Sequence, residues 1–245
     1  MRTFSSIAVV VLGAALSVAI ATGAAAKKRA PTGRIAGVVH VSGHIPARTP
    51  LDRRADPFCA QHRQLSAAVI ADGGKLRDVF VGIATGQISG SNGSTASARA
   101  TAPATITQTG CMYQPRVIGV LPGQAIAISN GDATLHNVHA YDQKRTLFNL
   151  AQPPRSPAVT RHAPKKAGEI VILKCDVHPW MRAYAVVTDN PHFAVTGEGG
   201  TFSIDHVPPG TYRIEAWHPV LGKQTAQVKV RAGKTAHLEL TFKAK

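Results

Sequence analysis

The chain is predicted to be all-β, and three observations carry that prediction. Short apolar or β-branched runs recur along nearly its whole length. Turn dipeptides such as Pro122-Gly123 and Asn130-Gly131 separate them. No stretch sustains a helical period with caps.

Taken in order, residues 1–26 read as a secretory signal. Arg2 supplies the positive start, 7–20 is almost wholly apolar, and Ala24-Ala25-Ala26 offers a small-residue cleavage site. The apolar core is short for a membrane span and no stop-transfer cluster follows it, which favours cleavage over the alternative of an uncleaved N-terminal anchor. No other segment is apolar enough to cross a bilayer. A mature protein without a membrane span, periplasmic or otherwise exported, is therefore expected.

In the segment 27–99, strands are expected at 34–41, 65–71 and 76–84, with a turn at Asp72-Gly73-Gly74. Residues 86–105 are rich in Gly, Ser, Thr and Ala and read as a flexible loop or linker. A domain at 100–189 has runs at 117–120, 124–129, 169–175 and 183–187, and Asp189-Asn190-Pro191 closes it. The segment 190–245 has its own pattern, with strands at 201–204, 212–217, 224–230 and 235–242. Ala226, Val228 and Val230 share one face there, and Leu238, Leu240 and Phe242 share a face of the next strand. Its roughly 55 residues make a meagre core for an independent sandwich. The early strands either complete it as the first half of a discontinuous module or pack on the central domain.

The chain carries 28 Lys and Arg against 13 acidic residues, a net +15. Such a balance fits nucleic acid in principle, but an exported chain rarely meets any, and no basic helical stripe or aromatic-interleaved RNA motif is present. Eight of the cations (144, 145, 155, 161, 165, 166, 174 and 182) lie between Asp142 and Arg182. They form either a solvated face or a docking surface for an acidic redox partner.

Three cysteines in an oxidising compartment leave one unpaired. Cys59 (Asp-Pro-Phe-Cys) and Cys111 (Thr-Gly-Cys) sit in turn-like surroundings, whereas Cys175 ends an apolar run. A Cys59–Cys111 disulfide is expected, among the three pairings that three cysteines allow. Cys175 then needs another reason to remain a thiol, and metal ligation is one.

That reason is visible in the motif Cys175-Asp-Val-His178-Pro-Trp-Met181, with His136 earlier in the chain. Two imidazoles and a thiolate with a weak axial thioether satisfy both Cu(I) and Cu(II), and methionine is a poor zinc ligand. In a strand running to Cys175, Val171, Leu173 and Cys175 point to one face. The loop stiffened by Pro179 turns His178 and Met181 back to the same point. His139 lies three residues after His136 and faces the other side of an extended strand. His62 and His218 read as turn residues with at most secondary metal-binding roles. Asn130 and Asp132 are expected to form turn hydrogen bonds rather than to touch a metal.

Leu135-His136-Asn137-Val138 with the Cys175-x2-His178-x2-Met181 loop resembles the cupredoxins, most closely amicyanin. The stretch Val120-Leu-Pro-Gly123, with Ile126, Ile128 and Asn130, is similar to the cupredoxin strand before the first histidine. The resemblance implies a Greek-key β-sandwich holding one mononuclear copper ion. Its ligands would be His136, Cys175, His178 and Met181, and Asn137 would fix the ligand loop. It also implies that His178 lies at an exposed edge where electrons pass, flanked by Pro179 and Trp180. The chain departs from the family pattern at Leu135, where proline is common, and at Lys174, where an apolar residue is common. The C-terminal segment, from Thr196 through Phe202-Ser-Ile204 to Val207-Pro-Pro-Gly-Thr-Tyr212, resembles carboxypeptidase regulatory-like (transthyretin-like) modules. That family's first strand is similar to 33–42.

The expected function is that of an exported one-electron carrier between periplasmic redox proteins. The alternative is a copper-binding protein for storage or delivery, or a structural or interaction protein. No Walker A loop, G-x-S-x-G elbow, H-E-x-x-H or C-x-x-C-H motif is present, and a copper with four ligands has no open position for substrate. No enzymatic activity is expected.

Overall fold

The computed structural model describes residues 31–88, 102–142 and 145–244. The signal expected at 1–26 lies outside the described residues, as do 89–101 of the expected linker. The N-terminal part forms β1 (Gly33–Gly43), the helical turn α1 (Pro57–Ala60), the short strands β2 (Ala71–Asp72) and β3 (Lys75–Leu76), and β4 (Phe80–Ile83). The middle forms β5 (Ala104–Thr109), β6 (Met112–Gln114), β7 (Val117–Val120), β8 (Ala125–Asn130) and β9 (His136–Tyr141). It continues with β10 (Thr146–Gln152), β11 (Val159–His162), β12 (Ile170–Lys174) and β13 (Arg182–Val187). The last part adds β14 (Phe193–Val195), β15 (Thr201–Val207), β16 (Gly210–His218), β17 (Gly222–Val230) and β18 (Thr235–Ala244). Among the described residues no helix is long and apolar enough to cross a membrane. The protein is all-β.

Strands β5–β13 make two sheets, ordered β10-β9-β12-β13-β7 and β11-β8-β5-β6. Their inner faces follow the two-residue period of a strand. Ile126 and Ile128 of β8 and Val171 and Leu173 of β12 are buried, and residues between them are partly exposed. These side chains pack with Ile106, Val138, Ala140, Ala183 and Ala185 in one core that also holds Cys175 and Met181.

The other strands form a second sandwich, and it draws on both ends of the chain. β1 pairs antiparallel with β15 and runs parallel to β18 over ten residues, from Arg34 opposite Thr235 to Gly43 opposite Ala244. In the facing sheet β4 lies between β14 and β16, and β17 pairs with β16. Ile35, Val39 and Val41 of β1 meet Ile214, Val228 and Phe242 in its core. Phe80 and Phe193 of this sandwich pack against Val117, Tyr184 and Val186 of the other.

The run expected as one strand at 76–84 is two, because Asp78 adopts a left-handed conformation (φ 59°). Its N–H donates to Thr196 O, and the chain passes there from the sheet of β1 to the sheet of β14. The strand expected at 65–71 is reduced to an isolated bridge at Leu65 and the two residues of β2, with Ser66 N–H donating to Thr49 O. Strands β5, β6, β10 and β11 have too many polar residues to read as apolar runs. β10, at a sheet edge, buries only Gln152 fully.

Candidate metal centre

β9 begins with His136, and β12 ends one residue before Cys175. The two strands pair antiparallel through Ile172–Tyr141, Leu173–Ala140 and Lys174–His139, which brings Cys175 beside the start of β9. The loop after β12 closes on itself: Met181 N–H donates to His178 O (2.9 Å) and Cys175 N–H to Met181 O (3.2 Å). His136, Cys175 and His178 converge, each offering one ligand atom within 4.8 Å of the others. His136, Cys175 and Met181 have no exposed surface, and His178 is 1% exposed.

The burial of His178 corrects the exposed edge implied by the family resemblance. A segment from the N-terminal part of the chain lies over this histidine. Asp56 caps α1, its Oδ1 accepting from the Phe58 and Cys59 N–H groups. Its Oδ2 accepts from Thr134 Oγ1 (2.7 Å) and lies 3.0 Å from His178 Nε2. Cys59 Sγ lies 3.6 Å from the same nitrogen, and Cys59 is disulfide-bonded to Cys111. Trp180 covers another side, its ring centroid 5.1 Å from that of His178 and its Nε1–H donating to Cys111 O. Arg53 is itself buried, lies over the Trp180 ring and donates to Gly110 O and His62 O.

His136 is supported in the same way. Asp132 Oδ2 lies 2.9 Å from His136 Nε2, while the carboxylate also accepts the N–H groups of Gly110 and Cys111. Asp132 makes the expected turn bond too, its N–H donating to Asn130 Oδ1. Asn137 Oδ1 accepts the Asp176 N–H and lies 3.3 Å from Cys175 Sγ, and its backbone N–H points at that sulfur. Asn137 Nδ2 donates to Asn149 and Asp176, which ties β9 and β10 to the ligand loop.

The two carboxylates determine what the imidazoles offer. An ionised carboxylate only accepts, so each Nε2 is held as an N–H and each Nδ1 is left with its lone pair. Burial works against ionising Asp56, but bonds from Thr134, the Cys59 N–H and His178 outweigh it and hold its pKa at about 2. The two Nδ1 atoms face each other at 2.8 Å, and Cys175 Sγ is 3.7 Å from that of His178. Lone pairs at that separation need a cation between them, a proton or a metal ion. Metal–nitrogen bonds of about 2.0 Å and a metal–sulfur bond of about 2.3 Å at trigonal angles put N and S roughly 3.7 Å apart, as found for His178, and the two nitrogens roughly 3.5 Å apart, so the rings would part by roughly 0.7 Å to admit an ion. By its chemistry, two imidazole nitrogens and a thiolate, the donor set fits a small, thiophilic ion. Burial pushes the Cys175 thiol up and the His136 imidazole down in pKa.

Among the described residues two other groups of donors converge, Asp56–Cys59–His178 and Cys111–Asp132–His136. The disulfide removes the thiolate from both. His139 is engaged away from the site by Asp176 and Thr146. His218 is buried, with Nδ1 accepting from the Val220 and Leu221 N–H groups. His62 belongs to none of the converging groups among the described residues. Asp56, Arg53 and the imidazole-supporting role of Asp132 escaped the sequence reading. Asp-Pro-Phe-Cys signals a capped turn, and nothing in it points to a histidine 122 residues later.

Comparison with known proteins adds a family model and a set of solved structures. Residues 166–238 match the model of domain II of polysaccharide lyase family 4. That is a different family from the carboxypeptidase regulatory-like module expected at the C-terminus, and the match begins inside the site-bearing sandwich. No curated protein matches the chain in sequence. Similar solved structures include cupredoxins. A purple cupredoxin from Nitrosopumilus maritimus is 20% identical, with 35% of this chain and 99% of that one covered and a TM-score of 0.28. A point mutant of amicyanin in its reduced Cu(I) form is 24% identical over 36% of this chain and 84% of its own, TM-score 0.31. Amicyanin from Paracoccus versutus is 18% identical over 35% and 80%, TM-score 0.30. At these values the functional reading rests on the side chains.

Proposed function

We propose that the protein holds one copper ion between His136, Cys175 and His178, with Met181 as a weak axial ligand, and acts as an exported one-electron carrier. The observation that supports this most is the convergence of two imidazole Nδ1 atoms on a buried free thiol, in a chain whose other two cysteines are joined. A bound copper would supply the one-electron Cu(I)/Cu(II) couple. The chain's residues keep the donors in place in both states. Asn137 ties the ligand loop to β9, Asp132 and Asp56 fix the ring orientations, and the surrounding core excludes water.

With the four ligand positions filled, no position is left for a substrate, so the proposal is a carrier and not an enzyme. The net charge of +15 favours an acidic protein partner, whose encounter would slow as salt is added. Leu135 and Val177, next to two of the ligands, are 46% and 51% exposed and give the partner an apolar contact close to the site.

The test is the visible spectrum of the mature protein loaded with Cu(II). An intense thiolate-to-copper band at roughly 600 nm, lost in Cys175→Ala, is the expected result for this donor set. A colourless protein that binds no copper would sink the reading.

A further inference from the structure

The metal donors come from β9 and the β12–β13 loop, but one group that orients them comes from the far N-terminal side of the chain. Asp56 sits between Arg53 and the disulfide cysteine Cys59, and its Oδ2 lies 3.0 Å from His178 Nε2. On the other imidazole, Asp132 occupies the equivalent place at 2.9 Å. The disulfide links the two supports. Cys59 N–H donates to Asp56, and Cys111 N–H donates to Asp132. Gly110, next to Cys111, donates its N–H to Asp132 and its carbonyl accepts from Arg53.

We infer that Asp56 is a positioning residue for the metal, delivered by a disulfide-stapled cap, and that with Asp132 it biases the site toward Cu(II). The inference rests on the copper reading above. Asp56 acts in two ways. The first is tautomeric: Asp56 keeps the hydrogen on His178 Nε2 and so presents Nδ1 to the metal. The second is electrostatic. A cupric ion with one thiolate carries a net positive charge, and a cuprous ion with one thiolate carries none. Asp56 and Asp132 supply two negative charges and Arg53 returns one positive, so the surroundings favour the state with positive charge at the centre.

Asp56→Asn is the informative change. Asparagine is as good an N-cap as aspartate, so α1 keeps its cap through Oδ1. Its Nδ2 then faces Thr134 Oγ1 and His178 Nε2 with hydrogens of its own. His178 keeps a bond there only by moving its hydrogen to Nδ1, the atom that must bind metal. Asp56→Ser is the second variant: it also caps, and its short hydroxyl carries no charge.

The readouts are Cu(II) and Cu(I) affinity by competition with a chelator, the reduction potential, and the ¹⁵N shifts of His178 in the metal-free protein. We expect both variants to lose roughly 10–100-fold in Cu(II) affinity with a smaller loss for Cu(I), and to show a higher potential. The His178 Nε2 signal should be that of an N–H nitrogen in the parent and should change in Asp56→Asn. A parent with the blue band, and variants matching it in Cu(II) affinity and potential, would overturn the role of Asp56 and leave the copper reading standing. A parent that binds no copper overturns both.

Discussion

Cys175 and His218 are both buried in this fold, and what surrounds them sets their different chemistry. The Cys175 sulfur has the Asn137 amide on one side and a histidine Nδ1 on the other, so a thiolate finds donors and a metal finds co-ligands. His218 instead has both backbone N–H groups of the following turn aimed at Nδ1, which requires a neutral ring. Burial, with repulsion from Arg116, holds its pKa down to about 4. Above pH ~6.5 the ring is neutral folded or unfolded, and its environment adds no pH dependence. As the pH falls from ~6.5 to ~4, the unfolded chain takes up a proton that the fold refuses. Stability then drops by up to about 3 kcal/mol, and below ~4 this loss stops growing. NMR titration of His218 should give a midpoint near the value of about 4. A midpoint near 6.5 would contradict this account.

At the scale of the element, β1 carries the heaviest constraint. It pairs with β15 on one side and β18 on the other, and Gly37 stands opposite Phe202 and Leu238 at once. A Cβ at Gly37 would lie 1.7 Å from the Leu238 carbonyl oxygen and 3.1 Å from the Phe202 ring. The backbone atom cannot turn away as a side chain could. Gly37→Ala should therefore cost at least ~3 kcal/mol in urea unfolding, or prevent folding. A loss under ~1 kcal/mol would mean that β18 shifts freely. Gly119 of β7 differs: a Cβ there would lie 2.3 Å from the Phe193 ring, a side chain, where the sandwiches meet.

Across the whole molecule, the crossing after β1 ties the N-terminal part of the chain to the candidate site. After β1 the chain leaves its own sandwich, lays Asp56 and Cys59 over His178, and returns for β2, β3 and β4. The Cys59–Cys111 bond spans a sequence separation of 52, and in the chain-entropy model such a loop contributes roughly 4 kcal/mol. Replacing both cysteines by serine should lower the unfolding free energy by about that amount. If the protein holds copper as proposed, the replacement should also speed copper loss to a chelator, because the cap over His178 then loses its covalent tie. If the double variant loses stability but releases copper no faster than the parent, the disulfide is a staple of the fold alone.

The β class was legible because alternation and turn chemistry are local. Val171 and Leu173 on one face, or Pro122-Gly123 between two runs, need no partner to be recognised. The meeting of Cys175 and His178 was legible for the same reason: they share one loop, at a spacing that lets both side chains meet. The disulfide followed from residue surroundings and a count of three. What sequence left open were the long-range terms. The pairing of β1 with both β15 and β18 is set by which faces fit, and the break at Asp78 by which sheet the chain must join next. The burial of His178 depends on Asp56, which approaches it only because the chain between them folds into two sandwiches and a disulfide draws the cap down. Contacts of that kind carry no periodicity and no fixed spacing, and their energy exists only once the packed structure has formed.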